Sequence, residues 1–241
     1  MIHKLPETGS TNADLIARLL AGETVPEGDW RVADRQTAGR GRLGREWLDG
    51  AGNFMGSTVV DLLPSDRLPQ TLSLVAGIAL FRAVEAVAPA IAGLQLKWPN
   101  DLLLDQAKLG GILLERIGNA VVVGIGINVA SAPALPGRAT TSLADAGFPV
   151  SRNELAEELA WSWQDVLRRW HGGEWDALRQ SWLKRAHPVG TVLTTTQASN
   201  PPLTGTFAGL CADGALQLLL ADGTTGTIHA GEINLASRPE E

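Results

Sequence analysis

Gly39-Arg40-Gly41-Arg42-Leu43-Gly44-Arg45 satisfies the pattern G-x-G-x-x-G, and the fold turns on how those seven residues are read. If the glycines opened a helix, its N-terminus could face a pyrophosphate and the chain would begin with a dinucleotide-binding α/β unit. Trp47 to Asn53 instead brings Gly50 and Gly52 and no helical run, so the Rossmann reading fails on context. What is left is a loop whose glycines allow close backbone approach. It carries Arg40, Arg42 and Arg45, guanidinium groups suited to gripping carboxylate or phosphate oxygens.

The charge around this loop opposes that of the whole chain. Arg31 to Glu46 holds five arginines against Asp34 and Glu46, a local balance of +3, whereas the 241 residues carry 20 Lys+Arg, 26 Asp+Glu and a net charge of -6. The contrast suggests an anion site, with a solvated basic turn as the plain alternative. An acidic total argues against a protein that wraps nucleic acid, because counterion release needs excess Lys and Arg. The length and 44% apolar content suit one large core, or a large and a small domain. Cys211 stands alone, which excludes an internal disulfide or a multi-thiolate metal site and fits a reducing compartment; it is expected as a small buried apolar residue. His3, His171, His187 and His229 show no metal-ligand spacing. Met1 to Ser10 lacks a signal-peptide core, and the most apolar stretch, Leu72 to Phe81, is closed by Arg82 and Glu85, so a cytoplasmic protein with no membrane partner is expected.

Outward from the loop, the first 130 residues alternate helix and strand. A helix begins near Ser10 or Thr11, with one apolar face formed by Ala13, Leu15, Ile16, Leu19 and Leu20. Trp30 to Thr37 and Asn53 to Leu62 are expected strands, and Leu68 to Val87 is a helix stopped by Pro89. Leu94 to Trp98, Lys108 to Arg116 and Ala120 to Val129 are rich in Leu, Ile and Val, as strands of one sheet would be. Ser151 with Glu154 forms a capping box for a helix to His171, and Glu174 to Arg185 follows the Gly172-Gly173 break. Beyond His187-Pro188 come Val189 to Thr196, Leu203 to Leu210, Ala215 to Leu220 and Thr224 to His229, short strands divided by Asn200-Pro201, Asp213-Gly214 and Asp222-Gly223. A boundary near 187 separates residues 1–186 from a small all-β unit, 187–241.

Three further segments carry chemistry, each with a bland alternative. In Lys97-Trp98-Pro99-Asn100-Asp101, Pro99 keeps Trp98 out of the helical region and presents Asn100 and Asp101 in a turn; a core tryptophan beside ordinary turn formers would look the same. Lys108-Leu109-Gly110-Gly111-Ile112-Leu113 sets a cation before two residues without side chains, against which a ligand could lie; a turn leading into a buried strand would look the same. Gly124-Ile125-Gly126-Ile127-Asn128 could clear space beside a strand and offer Asn128 to a heterocycle, or mark a bulge.

Taken in order, Ser10-Thr11-Asn12, Gln36 with GRGRLGR, KWPND at 97–101, KLGGIL at 108–113 and GIGIN at 124–128 resemble the biotin protein ligase family. The likeness extends to Gly231-Glu232-Ile233 after the short strands. It implies an α+β fold: a class II synthetase-like catalytic domain with a mixed central sheet and flanking helices, over 1–186, plus a small C-terminal SH3-like β-barrel over 187–241. It also implies that biotin and ATP form biotinyl-5'-AMP and pyrophosphate, and that the acyl group then passes to one lysine of a biotin carboxyl carrier protein. The first motif starts at Ser10, which suggests the ligase-only type without an N-terminal DNA-binding domain.

By the same resemblance Ser10, Thr11, Asn12, Gln36, Gly39, Arg40, Gly41, Arg42, Lys108, Gly111 and Gly124 bind biotin. Arg40, Arg42, Arg45, Trp47, Lys108 and Asn128 bind ATP or the adenylate, with Trp47 covering the adenine, a position a core tryptophan could also fill. Arg42 and Lys108 quench the repulsion between carboxylate and α-phosphate, and Mg²⁺ accompanies ATP with Asn100 and Asp101 as metal ligands. A free lysine amine has a pKa of about 10.4, so the second step wants a base, and Asp101 is the candidate. Asn234, Leu235 and Ala236 follow the Gly-Glu-Ile segment before Arg238, where some members place a basic residue sooner, so a C-terminal contact to ATP is in doubt. A homodimer through a free sheet edge is one arrangement the sequence leaves open. Rival readings are a lipoate-protein ligase, which needs a long apolar channel, an octanoyl transferase, which needs a cysteine absent before residue 211, and a biotin-dependent repressor or non-catalytic module.

Overall fold

The computed structural model describes residues 1–48, 50–197 and 200–235. In chain order the first part contains β1 (Ile2–Leu5), α1 (Thr11–Leu20), β2 (Trp30–Ala33), β3 (Phe54–Asp61), α2 (Leu72–Val87), β4 (Leu94–Lys97), β5 (Asp101–Leu104), β6 (Ala107–Ile117), β7 (Ala120–Ile127), α3 (Arg152–His171) and α4 (Trp175–Leu183). A second group follows: β8 (Val192–Gln197), β9 (Asn200–Leu210), β10 (Leu216–Leu219), β11 (Thr225–Ile228) and β12 (Glu232–Leu235). Seven strands form one sheet in the order β1-β2-β3-β7-β6-β5-β4. The β1–β2 pair is parallel and every other pair antiparallel, so the sheet is mixed, as expected. The second group is an antiparallel sheet in the order β11-β10-β9-β8-β12.

Strand alternation assigns the two faces of the large sheet. Val60, Val121 and Val123 point to α2 and α3 and join the main core, while Val59 and Val122, paired across β3 and β7, meet Leu15 of α1 on the opposite face. α1 starts where Ser10 accepts a hydrogen bond from the Ala13 amide, a side-chain N-cap. α2 is apolar on most sides and buried at 11 of its 16 residues, with Arg82 and Glu85 near its exposed end. With its leading turn, over Pro69–Val87, it is long and apolar enough to cross a membrane by length and composition; here it is the helix the core is built around. α3 has the expected capping box: the Ser151 hydroxyl accepts from Asn153 N, and the Glu154 carboxylate accepts from Ser151 N at 3.4 Å.

Several boundaries differ from the sequence expectation. The strand expected over Trp30 to Thr37 stops at Ala33, because the chain turns there to bring Gln36 beside Thr8. β5 stands where a turn alone was expected: Asp101 pairs with Lys97 on one side and Gly111 on the other. β1 and β12 were missed, and β9 begins at Asn200, inside the expected Asn200-Pro201 turn. Cys211 is half-buried rather than buried. Leu193, Phe207, Leu210, Leu216 and Leu218 of the second sheet share one continuous core with α2, α3 and α4. Trp98 Nε1 donates to the Gly214 carbonyl (3.1 Å) and Trp175 Nε1 to that of Ala212 (2.6 Å).

Candidate active site

The α1 face of the large sheet is covered only in part. Moving along it from the helix, the paired rows run Val59–Val122–Glu115, then Ser57–Gly124–Leu113, then Met55–Gly126–Gly111–Asp101. Where α1 ends, side chains give way to glycines, and a cleft opens over them. A Cβ on Gly124 would collide with the Asn12 amide, one on Gly126 with the Trp47 indole, and one on Gly111 would stand 3.0 Å from Lys108 Nζ. These glycines exist to leave room for neighbouring side chains and for whatever enters the cleft.

At the end nearest α1 the cleft is neutral and polar. Gln36 Oε1 accepts from Thr11 N (2.7 Å) and Thr11 Oγ1 (3.1 Å); Thr11 Oγ1 lies 2.6 Å from Ser57 Oγ, which donates to Asn12 Oδ1 (2.5 Å). Asn12 Nδ2 then donates to Glu115 (2.7 Å). Ser10, Thr11, Asn12, Gln36 and Ser57 are all buried, so hydrogen bonds fix their orientation. Ser57 was missed by the sequence reading; a serine beside Thr58 in the run FMGSTVVD gives no signal of its own.

At the other end the cleft is cationic. GRGRLGR is a tight hairpin: Arg40 pairs with Glu46, Gly41 N donates to Arg45 O at 2.7 Å, and Trp47 N donates to Gly39 O at 3.0 Å. No helix starts there, and the tip is a 3₁₀ turn over Arg42–Gly44 with Leu43 at φ 59 and Gly44 at φ 71. Arg42 donates to Asn100 Oδ1 (3.0 Å) and to the Gly231 carbonyl (3.3 Å), and Arg45 pairs with Glu232. The second sheet therefore reaches the cleft through Gly231 and Glu232. Arg238, weighed for that role, lies outside the described residues, as does Ala236.

Lys108 faces the cleft because of a β-bulge. The register between β5 and β6 shifts so that Leu102 opposes Gly110 and Leu103 opposes Lys108. The extra residue turns both Leu109 and Gly110 toward α2 and swings Lys108 to the cleft side. Lys108 Nζ sits 2.6 Å from Asp101 Oδ1 and 5.7 Å from the centre of the Trp47 ring. Burial pulls its pKa below the usual lysine value; Asp101 opposes that shift and Arg138 adds to it. Burial likewise lowers Arg42 and Lys97. Arg138, from the segment after β7, pairs with the other oxygen of Asp101; it sits in an irregular loop, and sequence reasoning missed it.

Ser10, Thr11, Asn12, Gln36, Arg40, Gly41, Arg42, Arg45, Trp47, Asn100, Asp101, Lys108, Gly111, Gly124 and Asn128 all line this one cleft; of the expected residues only Gly39 does not. Gly39 acts behind it, where a Cβ would strike the Trp47 carbonyl. Asn128 Nδ2 donates to the carbonyls of Thr141 (3.1 Å) and Lys108 (3.4 Å). Asn100 and Asp101 do not fit a resident metal: Asn100 Oδ1 holds Arg42, and both Asp101 oxygens hold cations. Among the described residues no three His, Cys, Asp or Glu side chains gather as a metal site.

Residues 7–130 match the model of the biotin/lipoate A/B protein ligase family. The chain is 37% identical over 231 residues to a biotin–[acetyl-CoA-carboxylase] ligase of Paracoccus denitrificans, covering 89% of this chain and 92% of that one. It is 35% identical over 235 residues to the corresponding Mycobacterium tuberculosis ligase, with 94% and 86% covered. The solved biotin protein ligase of Aquifex aeolicus, in complex with biotin and ATP, superposes with a TM-score of 0.84 at 28% identity over 98% of this chain and 99% of that one.

Proposed function

The chain belongs to the biotin/lipoate A/B protein ligase family, and from that premise we propose that its cleft joins biotin to ATP and hands the acyl group to a carrier lysine. It is a biotin–[biotin carboxyl carrier protein] ligase: a biotin carboxylate oxygen attacks the α-phosphorus, pyrophosphate leaves, and biotinyl-5'-AMP forms. The acceptor amine then attacks the acyl carbon, the acyl–phosphate bond breaks, and AMP departs. By the names of its relatives, the acceptor is the biotin-bearing part of an acetyl-CoA carboxylase.

The observation that carries this reading is the meeting, in one cleft, of a neutral polar end and a cationic end. A fused ureido ring is neutral and polar and wants the donors and acceptors of Ser10, Thr11, Asn12, Gln36 and Ser57. The valeryl chain would run along the glycine floor of Gly111, Gly124 and Gly126, beneath the Asn12 amide, the Trp47 indole and the Lys108 ammonium that stand over it. Its carboxylate would then arrive between Arg40, Arg42 and Lys108, which offset the repulsion from the incoming phosphate. Trp47 offers a face for adenine. With the Asn128 amide hydrogens engaged, its oxygen is left to accept from the adenine amino group. Magnesium rides on the nucleotide phosphates, as it commonly does, rather than on Asn100 or Asp101. The acidic balance supports a cytoplasmic ligase without DNA binding, and the fivefold antiparallel arrangement of β8 to β12 supports an SH3-like second unit beyond residue 187.

Transfer of labelled biotin to a purified carrier domain with ATP and Mg²⁺ tests the proposal. Labelled lipoate in a parallel reaction distinguishes the rival branch of the family. Efficient lipoate transfer with no biotin transfer would replace this reading.

A further inference from the structure

We propose that Arg138 is a positioning residue for the activation step: it holds one oxygen of Asp101 so that Lys108 can leave the other and go to the ligand. The inference rests on the ligase reading of the cleft and goes beyond it. Its ground is the placement of three charges. Asp101 is 7% exposed, Oδ1 carries Lys108 Nζ at 2.6 Å, and Oδ2 carries Arg138.

Arg138 is not there by accident of a loose loop. Lys108 N donates to the Ala139 carbonyl (2.9 Å), Thr141 N donates to the Lys108 carbonyl (3.0 Å), and Thr140 Oγ1 donates to Pro133 O (2.6 Å). Those bonds lay the segment along the start of β6 and fix where the Arg138 side chain begins.

Consider the same site with Lys108 as the sole partner of Asp101. The pair would be closed and neutral, and an arriving carboxylate would have to strip the lysine away, leaving a buried unpaired anion beside it. Arg138 changes the sum from zero to +1 and keeps Asp101 paired after Lys108 departs. The division of labour follows from the two side chains: a guanidinium is a rigid fork, an ammonium a mobile point charge on a flexible stem. Gly111, whose absent side chain would crowd Lys108 Nζ, leaves the lysine room to swing across the floor. Once Lys108 has moved, Asp101 Oδ1 is uncovered. In the second step the acceptor nitrogen bonds to the acyl carbon, its proton passes to that oxygen, and AMP leaves with the electrons of the acyl–oxygen bond.

The test is calorimetric binding of biotin and of biotinol, the alcohol that lacks the carboxylate, to the full chain, alongside biotin-dependent ATP–pyrophosphate exchange. Arg138→Ala should weaken biotin about tenfold, leave biotinol unchanged, and lower kcat of exchange about tenfold. Arg138→Lys should recover most of both. Asp101→Asn should bind biotin at least as tightly as the parent, and adding Arg138→Ala to it should change nothing further. Undiminished biotin binding by Arg138→Ala overturns the inference, as does equal weakening of biotin and biotinol, which would mark a packing role. A full Arg138→Ala effect in the Asp101→Asn background also overturns it, by making the contact direct. If the parent protein binds no biotin, the ligase reading falls and takes this inference with it.

Discussion

Arg42 and Lys108 come from segments far apart in the chain, yet both are drawn out of water into one cleft, and both have their pKa lowered by that burial. Groups held in such a place are pre-oriented for a ligand that brings negative charge. Arg42→Ala and Lys108→Ala should each reduce biotin-dependent ATP–pyrophosphate exchange by more than about tenfold, roughly 1.4 kcal/mol of transition-state stabilisation; exchange at the parental rate would remove either residue from the chemistry. Arg42 was legible because motif and charge contrast both mark it, Lys108 because it precedes the Gly110-Gly111 pair. Ser57 and Arg138 were not, since each is a single polar residue in a strand or loop whose neighbours carry no pattern. Lys108 was found for an incomplete reason: simple alternation from Gly111 along β6 puts it on the α2 face, and the bulge that turns it to the cleft leaves no mark in the sequence.

Among the elements, the hairpin of residues 39–47 is the one expected to respond to ligand. Its tip is not helical, Leu43 adopts a left-handed φ of 59 that is unfavourable for a branched side chain by about 1 kcal/mol, and its attachment to the second sheet runs through Arg42, Arg45 and Glu232. Amide exchange at Gly41 and Arg45 should slow when biotin and ATP are added together, and unchanged exchange would mean that the hairpin is already closed without ligand. A second element carries a pH response. Burial pulls His171 at the end of α3 down, but hydrogen bonds to Asp66 (2.8 Å) and Glu27 (3.2 Å) outweigh it and raise its pKa above 6.5. A raised folded-state pKa means stabilisation that is complete below 6.5 and lost as pH climbs through the higher value. Buried His187, whose pKa is lowered, contributes the opposite slope, so the difference between proteins is the test: the parent's melting temperature should exceed that of His171→Gln by more at pH 6 than at pH 8, and an equal difference at both would refute the assignment. The helices were legible from caps and periodicity. β1 and β12 were not, because four-residue strands in which only Ile2 and Leu5 turn partly inward, or only Ile233 is buried, show too little alternation.

At the scale of the molecule the question is whether the break in sequence texture near 187 is a break in cooperativity. Composition and turn signals change there, but the buried side chains do not respect the line: Phe207 and Leu216 lie in the same core as Trp170, Trp175 and Leu178, and Arg179 donates to the Leu210 carbonyl at 2.8 Å. The second sheet also supplies Gly231 and Glu232 to the arginine hairpin, so the cleft needs both parts in register. All eight tryptophans fall at or before residue 182, and Trp98 and Trp175 donate to carbonyls beyond 187, so intrinsic fluorescence reports the first part and its seam with the second. Phe207→Ala, in the second sheet, removes a ring that is 3% exposed and should cost about 3–5 kcal/mol. If the core is shared, that loss moves the tryptophan-detected denaturation midpoint along with the far-ultraviolet one, as a single transition. A fluorescence midpoint that stays put while part of the circular dichroism signal melts early would show that the two sheets unfold as separate units, with the line falling where the texture changes.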